Sequence, residues 1–236
     1  MTASTITNAH VAGMQIGGHD TVLDGLTVNN SRAALRVERG AAGVTATRVF
    51  LIGGTDGLVA SAGTTGIAVN DLSADGVGDD AVRTLSSGMQ ITGGQIRGGS
   101  TGMDLQAATT VTGVQIGLTS TGIRARARDP ITLTHVRVDA VSVGVEAQPG
   151  SAVTLANSTV HALQAVRGTL TLQGVNDLSL PPLNLLGSIG LPLIVLAAVL
   201  ELVHLLRQRR IGPRPRARPP VVPTQTVATP AAAGTR

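Results

Sequence analysis

Apolar residues recur at a regular spacing along most of the chain. From residue 4 to about residue 176, an apolar residue is followed by a second three positions on and a third two positions beyond that. The first members are Ile6, Leu23, Ala46, Val69, Ile91, Val111, Leu133 and Leu155. The third members are Val11, Val28, Leu51, Ala74, Ile96, Ile116, Val138 and Val160. A period of about 22 residues in short β-rich segments is typical of a solenoid in which each repeat forms one turn.

Each repeat continues into a second strand that opens on a glycine. Eleven residues after the first apolar position, the segments "DGLVA", "TGMDL", "TGIRA" and "VGVEA" supply Gly57, Gly102, Gly122 and Gly144. A recurring glycine indicates either a bend with positive φ or close backbone packing. The same count places Asp80 in this glycine column. It also predicts that Asp56 and Asp79 stack on neighbouring turns, one column earlier.

This repeat resembles the right-handed parallel β-helix proteins of the pectin-lyase-like superfamily over about residues 4–176. We therefore predict an all-β fold in residues 1–177, a right-handed parallel β-helix solenoid of about eight rungs. At about 4.8 Å per rung, the rod would be on the order of 40 Å long. The alternative is an irregular β-sandwich, which would not require such regular columns. The repeat is expected to end at Leu172, because Asp177 occupies the next position that should be buried.

The composition changes abruptly after the repeats. Residues 178–200 contain no charged side chain, and residues 181–206 are long enough to cross a bilayer as one helix. We predict a C-terminal transmembrane α-helix within residues 178–206, with a short lead-in. The alternative is a helix that caps the solenoid, but such a helix needs a polar face, and residues 185–200 offer only Ser188 and small residues.

A basic tail follows the apolar segment. Six arginines lie directly after residue 206, namely Arg207, Arg209, Arg210, Arg214, Arg216 and Arg218. Positive charge next to a membrane helix favours the cytoplasmic side. Residues 207–236 are also rich in Pro, Ala and Thr, which is typical of disorder. The prediction is a single-pass membrane protein with an extracytoplasmic β-helix and a disordered cytoplasmic tail.

The N-terminal residues do not supply the export signal that this orientation requires. The opening "MTASTITNAH" has neither a basic start nor an apolar run, and the first repeat begins at Ile6 without a polar cap. We expect the chain to be the C-terminal part of a longer protein, from a truncated or mis-started reading frame.

Composition narrows the possible chemistry. The chain has no Cys, Trp or Tyr, and Phe50 is its single aromatic residue, so disulfides and thiolate metal sites are excluded. The pI is about 11.3, yet residues 1–178 hold 11 Arg against 13 acidic residues. Because the basicity lies in the tail rather than in a basic groove with aromatic residues, a nucleic-acid partner is not predicted.

One cluster of acidic residues could carry chemistry. The stretch "SADGVGDDAVRTL" holds Asp75, Asp79 and Asp80, and Asp56 lies on the preceding repeat. Three interpretations stay open. The cluster could be a catalytic acid pair, a calcium site built from Asp56, Asp79 and Asp80 with Asp75, or a polar corner of the solenoid. Stacked Asp56 and Asp79 would repel one another, which favours a counter-charge, either a cation or a shared proton.

Two short segments resemble motifs of the polygalacturonases, which are inverting glycoside hydrolases on this fold. "GTDGL" at 54–58 and "GDDAV" at 78–82 are similar to their first two motifs, and "GIRAR" at 122–126 to their fourth. The resemblance implies that Asp79 is the general acid and that Asp56 and Asp80 activate water. It also implies that Arg124 and Arg126 bind a sugar carboxylate. The third motif of the family is absent, because Thr101 stands where its His belongs.

Two functions from different classes follow. The first is a membrane-anchored surface scaffold that contacts polysaccharide, without a cofactor unless calcium binds the acid cluster. The second is a polysaccharide-degrading enzyme of polygalacturonase type. Two further features of the sequence are predicted to be structural. Arg48 and Asp71, at matching positions of neighbouring turns, form a surface ion pair, and "RARAR" at 124–128 directs its arginines outward.

Overall fold

A computed structural model describes residues 2–180 of the chain. The predicted membrane helix at 181–206 and the tail at 207–236 lie outside the described residues. Within residues 2–180, no helix is long and apolar enough to cross a membrane.

The described chain consists of short strands. In the first half they are β1 (Thr2–Thr7), β2 (Ala12–Ile16), β3 (Val22–Asn29), β4 (Ala33–Val37), β5 (Thr45–Ile52), β6 (Asp56–Ala60), β7 (Ala68–Asp75), β8 (Asp80–Thr84), β9 (Met89–Arg97) and β10 (Thr101–Leu105). In the second half they are β11 (Thr109–Thr112), β12 (Gln115–Gly117), β13 (Thr121–Ala125), β14 (Ile131–Thr134), β15 (Arg137–Asp139), β16 (Val143–Ala147), β17 (Val153–Ala156), β18 (Thr159–His161), β19 (Gln164–Arg167), β20 (Thr171–Gln173) and β21 (Asp177–Ser179).

These strands form a right-handed-type parallel solenoid of about eight turns. The first sheet has 13 strands in the order β1-β3-β5-β7-β9-β11-β14-β17-β20, with β12, β15, β18 and β21 continuing its later turns. The second sheet has eight strands in the order β19-β16-β13-β10-β8-β6-β4-β2. Each strand therefore pairs with its equivalent one turn away, which confirms the predicted all-β solenoid and rules out the sandwich.

The predicted apolar columns form the core. Neighbours in the first column, such as Val69 and Ile91, and in the third, such as Ala74 and Ile96, are in register and buried. The first turn was assigned wrongly. Ile6 pairs with Val28, not with Leu23, and Val11 is exposed. The step from Ile6 to Val28 restores the 22-residue period, whereas the step of 17 to Leu23 did not.

The C-terminal limit of the repeat was also misplaced. Leu178 pairs with Val160 and continues the third column, while Asp177 is exposed. The solenoid therefore extends through β20 and β21, beyond the predicted end at Leu172. No later turn among the described residues covers Leu172 and Leu178, so both leucines are partly exposed at this end.

One position in every turn has a left-handed backbone. In register from turn to turn, the residues at this position are Gly25, Arg48, Asp71, Gly93, Gly113, His135, Asn157 and Gly174, all with positive φ. This residue bends each turn between the first and third apolar columns. Because Gly and Asn reach this region of φ at low cost, most turns use a residue with little strain. Arg48 and Asp71 do lie in register, but the predicted ion pair between them is wrong, since Arg48 pairs with Asp24 instead.

The predicted glycine column, which includes Gly57, Gly102, Gly122 and Gly144, is explained by close packing rather than by a positive φ. At Gly122 a Cβ would lie 2.2 Å from Val138 Cγ1 and 2.6 Å from the Gly144 carbonyl oxygen. The residue at this position in the turn that begins with β8 is Ala81, not Asp80, because Val82 pairs with Leu58. The corner at residues 75–79 contains one more residue than its neighbours, which shifts the two aspartates by one position.

Candidate functional site

The acid cluster lies where β6 and β8 begin. The register of Leu58 with Val82 places Asp56 beside Asp80, so the predicted stacking of Asp56 on Asp79 is wrong. Asp79 belongs to the corner that precedes β8, and its side chain is 54% exposed, compared with 16% for Asp56 and 6% for Asp80. The cluster thus combines two largely buried carboxylates with one at the surface.

Arg83 joins these three carboxylates. Its Nη2 atom lies 2.7 Å from Asp80 Oδ2, 3.2 Å from Asp56 Oδ1 and 3.3 Å from Asp79 Oδ2. Its Nε atom donates a further hydrogen bond of 2.8 Å to Asp80 Oδ2. Sequence reasoning missed Arg83 as the counter-charge. The signal was present, since Arg83 follows Val82 on the strand and therefore points outward next to Asp80.

Burial and neighbouring charge act together on the cluster. Burial raises the pKa of Asp56, and the charges of Asp79 and Asp80 add to this, while Arg83 opposes it without cancelling it. Burial alone would lower the pKa of Arg83, but the hydrogen bond and charge of Asp80, with the charges of Asp56 and Asp79, raise it. Arg83 therefore stays charged, and the raised pKa of Asp56 means that this carboxylate takes up a proton more readily than a solvent-exposed aspartate.

The spacing of the carboxylates limits what they can do. One oxygen of each aspartate lies within 4.8 Å of one oxygen of the others, so the three could hold a metal ion. Inverting glycosidases need carboxyl groups about 6.5–9.5 Å apart to admit a water molecule, and retaining enzymes need about 5–5.5 Å. The nearest oxygens of the three carboxylates are closer together than inverting enzymes require, and Arg83 contacts all three groups. A cation bound by the three carboxylates would therefore have to compete with the guanidinium of Arg83.

The two arginines predicted to bind a sugar carboxylate lie near the acid cluster. A shallow depression of about 400 Å³ is lined by Asp79, Asp80, Arg83, Asp104, Arg124 and Arg126. Both predicted arginines already have carboxylate partners. Arg124 Nε lies 3.0 Å from Glu146 Oε2, and Arg126 Nε lies 3.0 Å from Asp104 Oδ1. Arg124, Arg126 and Arg128 do point outward, as predicted for "RARAR".

These pairs belong to a ladder of alternating charge on the outer face of the second sheet. The register places Arg83, Asp104, Arg124, Glu146 and Arg167 in one column on successive turns. Glu146 accepts from Arg124 on one side and from Arg167, at 3.3 Å, on the other. Burial alone would raise the pKa of Glu146, but the two arginines outweigh it and lower the pKa. Through Glu146, the ladder links three successive turns by ion pairs.

Replacing Glu146 with Gln will lower the stability of the full-length protein by about 1–2 kcal/mol at pH 7, because two arginines lose their partner. A lowered carboxyl pKa contributes stability that is present above the unfolded value, 4.5 for Glu, and lost as pH falls through the folded value. The difference from wild type should therefore shrink as pH falls well below 4.5. Urea unfolding followed by circular dichroism at neutral and acidic pH measures it. A difference that is independent of pH would contradict this origin.

Comparison with known proteins does not add a family. No protein-family model matches the chain, and no curated protein matches it.

Proposed function

We propose that this protein is a membrane-anchored, extracytoplasmic β-solenoid that serves as a surface scaffold and contacts polysaccharide. In this proposal the solenoid lies outside the cell, residues 181–206 span the membrane, and residues 207–236 lie in the cytoplasm. The regular rungs support its placement among the pectin-lyase-like β-helices.

The main support for the membrane anchor is the exposed apolar surface at the C-terminal end of the solenoid. Leu172, Val175, Leu178 and Leu180 are all exposed there. Leu180 is followed directly by the apolar residues 181–206, whose first charged side chain is Glu201. Exposed apolar surface of this kind marks a site that contacts another apolar phase or partner. An apolar end that continues into an apolar segment of membrane-spanning length supports insertion of that segment into a bilayer.

The scaffold role is supported by the state of the acid cluster. Arg83 holds Asp56, Asp79 and Asp80, and the arginines that could bind a sugar carboxylate are paired with Asp104 and Glu146. Each charged residue in the segments that resemble polygalacturonase motifs is thus paired with an oppositely charged residue of the solenoid. Arg83 also supplies the counter-charge that calcium would provide, so we propose that the cluster is a polar corner that stabilises the fold.

Labelling of single cysteines tests the topology directly, because the chain contains no Cys. Ser87→Cys lies on an exposed turn of the solenoid, and Thr226→Cys lies in the tail. In intact cells, a membrane-impermeant maleimide should label the first variant and not the second. After permeabilisation it should label both. Labelling of neither or of both variants in intact cells would overturn the proposed orientation.

A pair of substitutions at one position tests the anchor. Full-length protein should float with liposomes and resist alkaline extraction. Leu196→Arg should abolish this, because an arginine at the centre of a membrane helix costs about 2.5–3.5 kcal/mol. Leu196→Ala should float like wild type. Equal behaviour of the two variants would contradict a membrane span.

A reducing-end assay separates scaffold from enzyme. Wild-type protein should release no reducing ends from a panel of acidic polysaccharides. Turnover by wild type that Asp79→Asn abolishes would establish the glycosidase alternative and overturn the scaffold role. Binding to the same polymers that survives Asp79→Asn would support the scaffold.

A further inference from the structure

A second depression lies on a different face of the solenoid from the acid cluster. This groove, about 300 Å³, is lined by Gln95, Arg97, Gln115, Gly117, Leu118 and Arg137, from β9, β12, β15 and the corner after β12. The register places Gln95, Gln115 and Arg137 in one outward column, and Arg97 and Gly117 in the next. Guanidinium and amide groups therefore repeat along the solenoid axis at the spacing of the turns.

Arg97 is exposed, and a neighbouring amide orients its guanidinium group. Among the described residues it forms no ion pair, even with Asp75, which lies in register with it on the preceding turn. By contrast, Arg83, Arg124 and Arg126 on the other face are all paired. With its amide oxygen turned toward Arg97, Gln95 accepts hydrogen bonds from Nε at 3.1 Å and Nη2 at 3.0 Å. A neutral amide orients the guanidinium without neutralising it, so the charge stays available to a ligand.

Gly117 leaves a gap beside this arginine. It lies between Arg97 and Asp139 in the column, and a Cβ built on it would meet no atom within 4 Å. Asp139 does not close the gap, because its oxygens contact Arg137 Nε at 2.9 Å and His161 Nδ1 at 2.8 Å. Arg137 is 55% exposed but is paired with Asp139, so the guanidinium of the groove that has no carboxylate partner among the described residues is that of Arg97.

The rim of the groove has an unusual backbone. At the corners that follow β1, β3, β5, β7, β9 and β12, the residues Asn8, Asn30, Gly53, Gly76, Gly98 and Leu118 all have positive φ. Leu118, at φ 60°, is the one aliphatic side chain in this conformation within residues 2–180, and it is 60% exposed. Asn or Gly would satisfy the corner with less strain. Strain at an exposed apolar residue beside a groove indicates a role in binding.

The same face carries the single aromatic ring of the chain. Phe50 belongs to the outward column that continues through Ser73 to Gln95, two turns from the groove, and it is 44% exposed. From Phe50 to Arg137 the column covers four steps, about 19 Å along the axis at the spacing of parallel strands. The face thus combines apolar, amide and guanidinium groups in one line, which suits a polymer with alternating apolar and polar surfaces.

We propose that this face binds a carboxylate-bearing polysaccharide along the solenoid axis, with Arg97 as the main carboxylate ligand. The assignment rests on the proposed contact with polysaccharide and gives that contact a site. Arg97 binds a sugar carboxylate, and the amides of Gln95 and Gln115 bind hydroxyl groups. Leu118 and Phe50 contact the C–H faces of the sugar rings. The planar guanidinium matches a carboxylate in a two-point contact, which gives the acidic sugar its preference.

Titration of full-length protein in detergent micelles with polygalacturonate tests the site at about 0.1 M salt, where long-range charge effects are screened. Arg97→Gln should weaken binding at least about tenfold, the loss expected for one charge-assisted contact. Arg128→Gln, an exposed arginine outside the groove, is the matched control and should stay within about twofold. Methyl-esterified polymer should bind wild type at least about tenfold more weakly, because it lacks the carboxylate.

Substitutions at two further positions distinguish a loss of ligand binding from a loss of structure. Gly117→Glu puts a carboxylate beside Arg97 and should weaken binding about tenfold more than Gly117→Gln, which has the same size without the charge. Leu118→Asn should weaken binding about threefold, while the fold becomes no less stable, since Asn tolerates positive φ. A residue with a purely structural role would not show this combination.

The outcomes separate the groove from the wider proposal. Wild-type binding that Arg97→Gln and Gly117→Glu leave unchanged would overturn the groove and leave the scaffold proposal standing. Stronger binding of dextran sulfate than of polygalacturonate would overturn the carboxylate assignment. Absence of wild-type binding to any of these polymers would overturn both the groove and the contact with polysaccharide, while the topology and flotation results would still decide the anchor.

Discussion

Replacing Arg83 with Met will destabilise the full-length protein by about 2–4 kcal/mol at pH 7. The substitution keeps most of the aliphatic side chain but leaves Asp56 and Asp80, both largely buried, beside Asp79 without a counter-charge. Removing one partner from a buried ion pair leaves an uncompensated charge, which typically costs 3–5 kcal/mol, and partial exposure of Asp79 reduces this. Urea unfolding followed by circular dichroism measures the loss.

The pH dependence of this variant identifies the cause. The pKa of Asp56 is already raised in the folded protein, and removal of Arg83 will raise it further. A carboxylate with a raised folded pKa costs stability above that pKa, and the cost disappears as pH falls through it. The difference between wild type and Arg83→Met should therefore shrink on acidification. Calcium should also stabilise the variant more than wild type, because Arg83 no longer competes for the three carboxylates.

Arg167→Met provides the control. Arg167 ends the same charge ladder, contacts Glu146 at 3.3 Å and is 53% exposed, so its loss should cost less than about 1 kcal/mol. Equal losses for the two variants, or a loss at Arg83 that does not change with pH, would show that Arg83 is not the counter-charge of the acid cluster.

The sequence predicted the fold well, because burial imposes one strong rule on a parallel solenoid. Inward positions must be apolar on every turn, so Val69, Ile91 and Val111 could be aligned without a structure. Register was harder where the repeat length changed. The extra residue at the corner before Asp80 places this aspartate beside Asp56. In the first turn, Ile6 was assigned to the first apolar column, although it belongs to the third, with Val28. The length of a repeat alone does not show which of its corners contains an additional residue.

The chemistry was less predictable than the fold. Asp56, Asp79 and Asp80 were identified as a cluster, but their partner Arg83 was not, because contacts between turns depend on register at single-residue precision. The groove around Arg97 was missed for a different reason. Its signals are a gap at Gly117 and a positive φ at Leu118, and neither has a sequence motif. Which outward-facing side chains are neighbours on successive turns can be predicted only after the inward-facing residues have been aligned correctly.

Gly122→Ala will destabilise the protein by about 1–3 kcal/mol, although it adds a single methyl group. The new Cβ would lie 2.2 Å from Val138 Cγ1 and 2.6 Å from the carbonyl oxygen of Gly144. The side chain of Val138 could change rotamer, but the backbone of Gly144 is fixed by strand pairing on the next turn. Relief therefore requires separation of two turns, which weakens the ladder between β13 and β16.

Gly117→Ala is the matched control, and it should have the opposite sign. Gly117 is also in a strand, but its φ is not positive and a Cβ there meets nothing within 4 Å. Alanine should be neutral or stabilise by about 0.4–1 kcal/mol, because it reduces the entropy of the unfolded chain. Chemical denaturation of both variants at the same pH measures the difference. If Gly122→Ala were as stable as Gly117→Ala, close packing would not explain the glycine column.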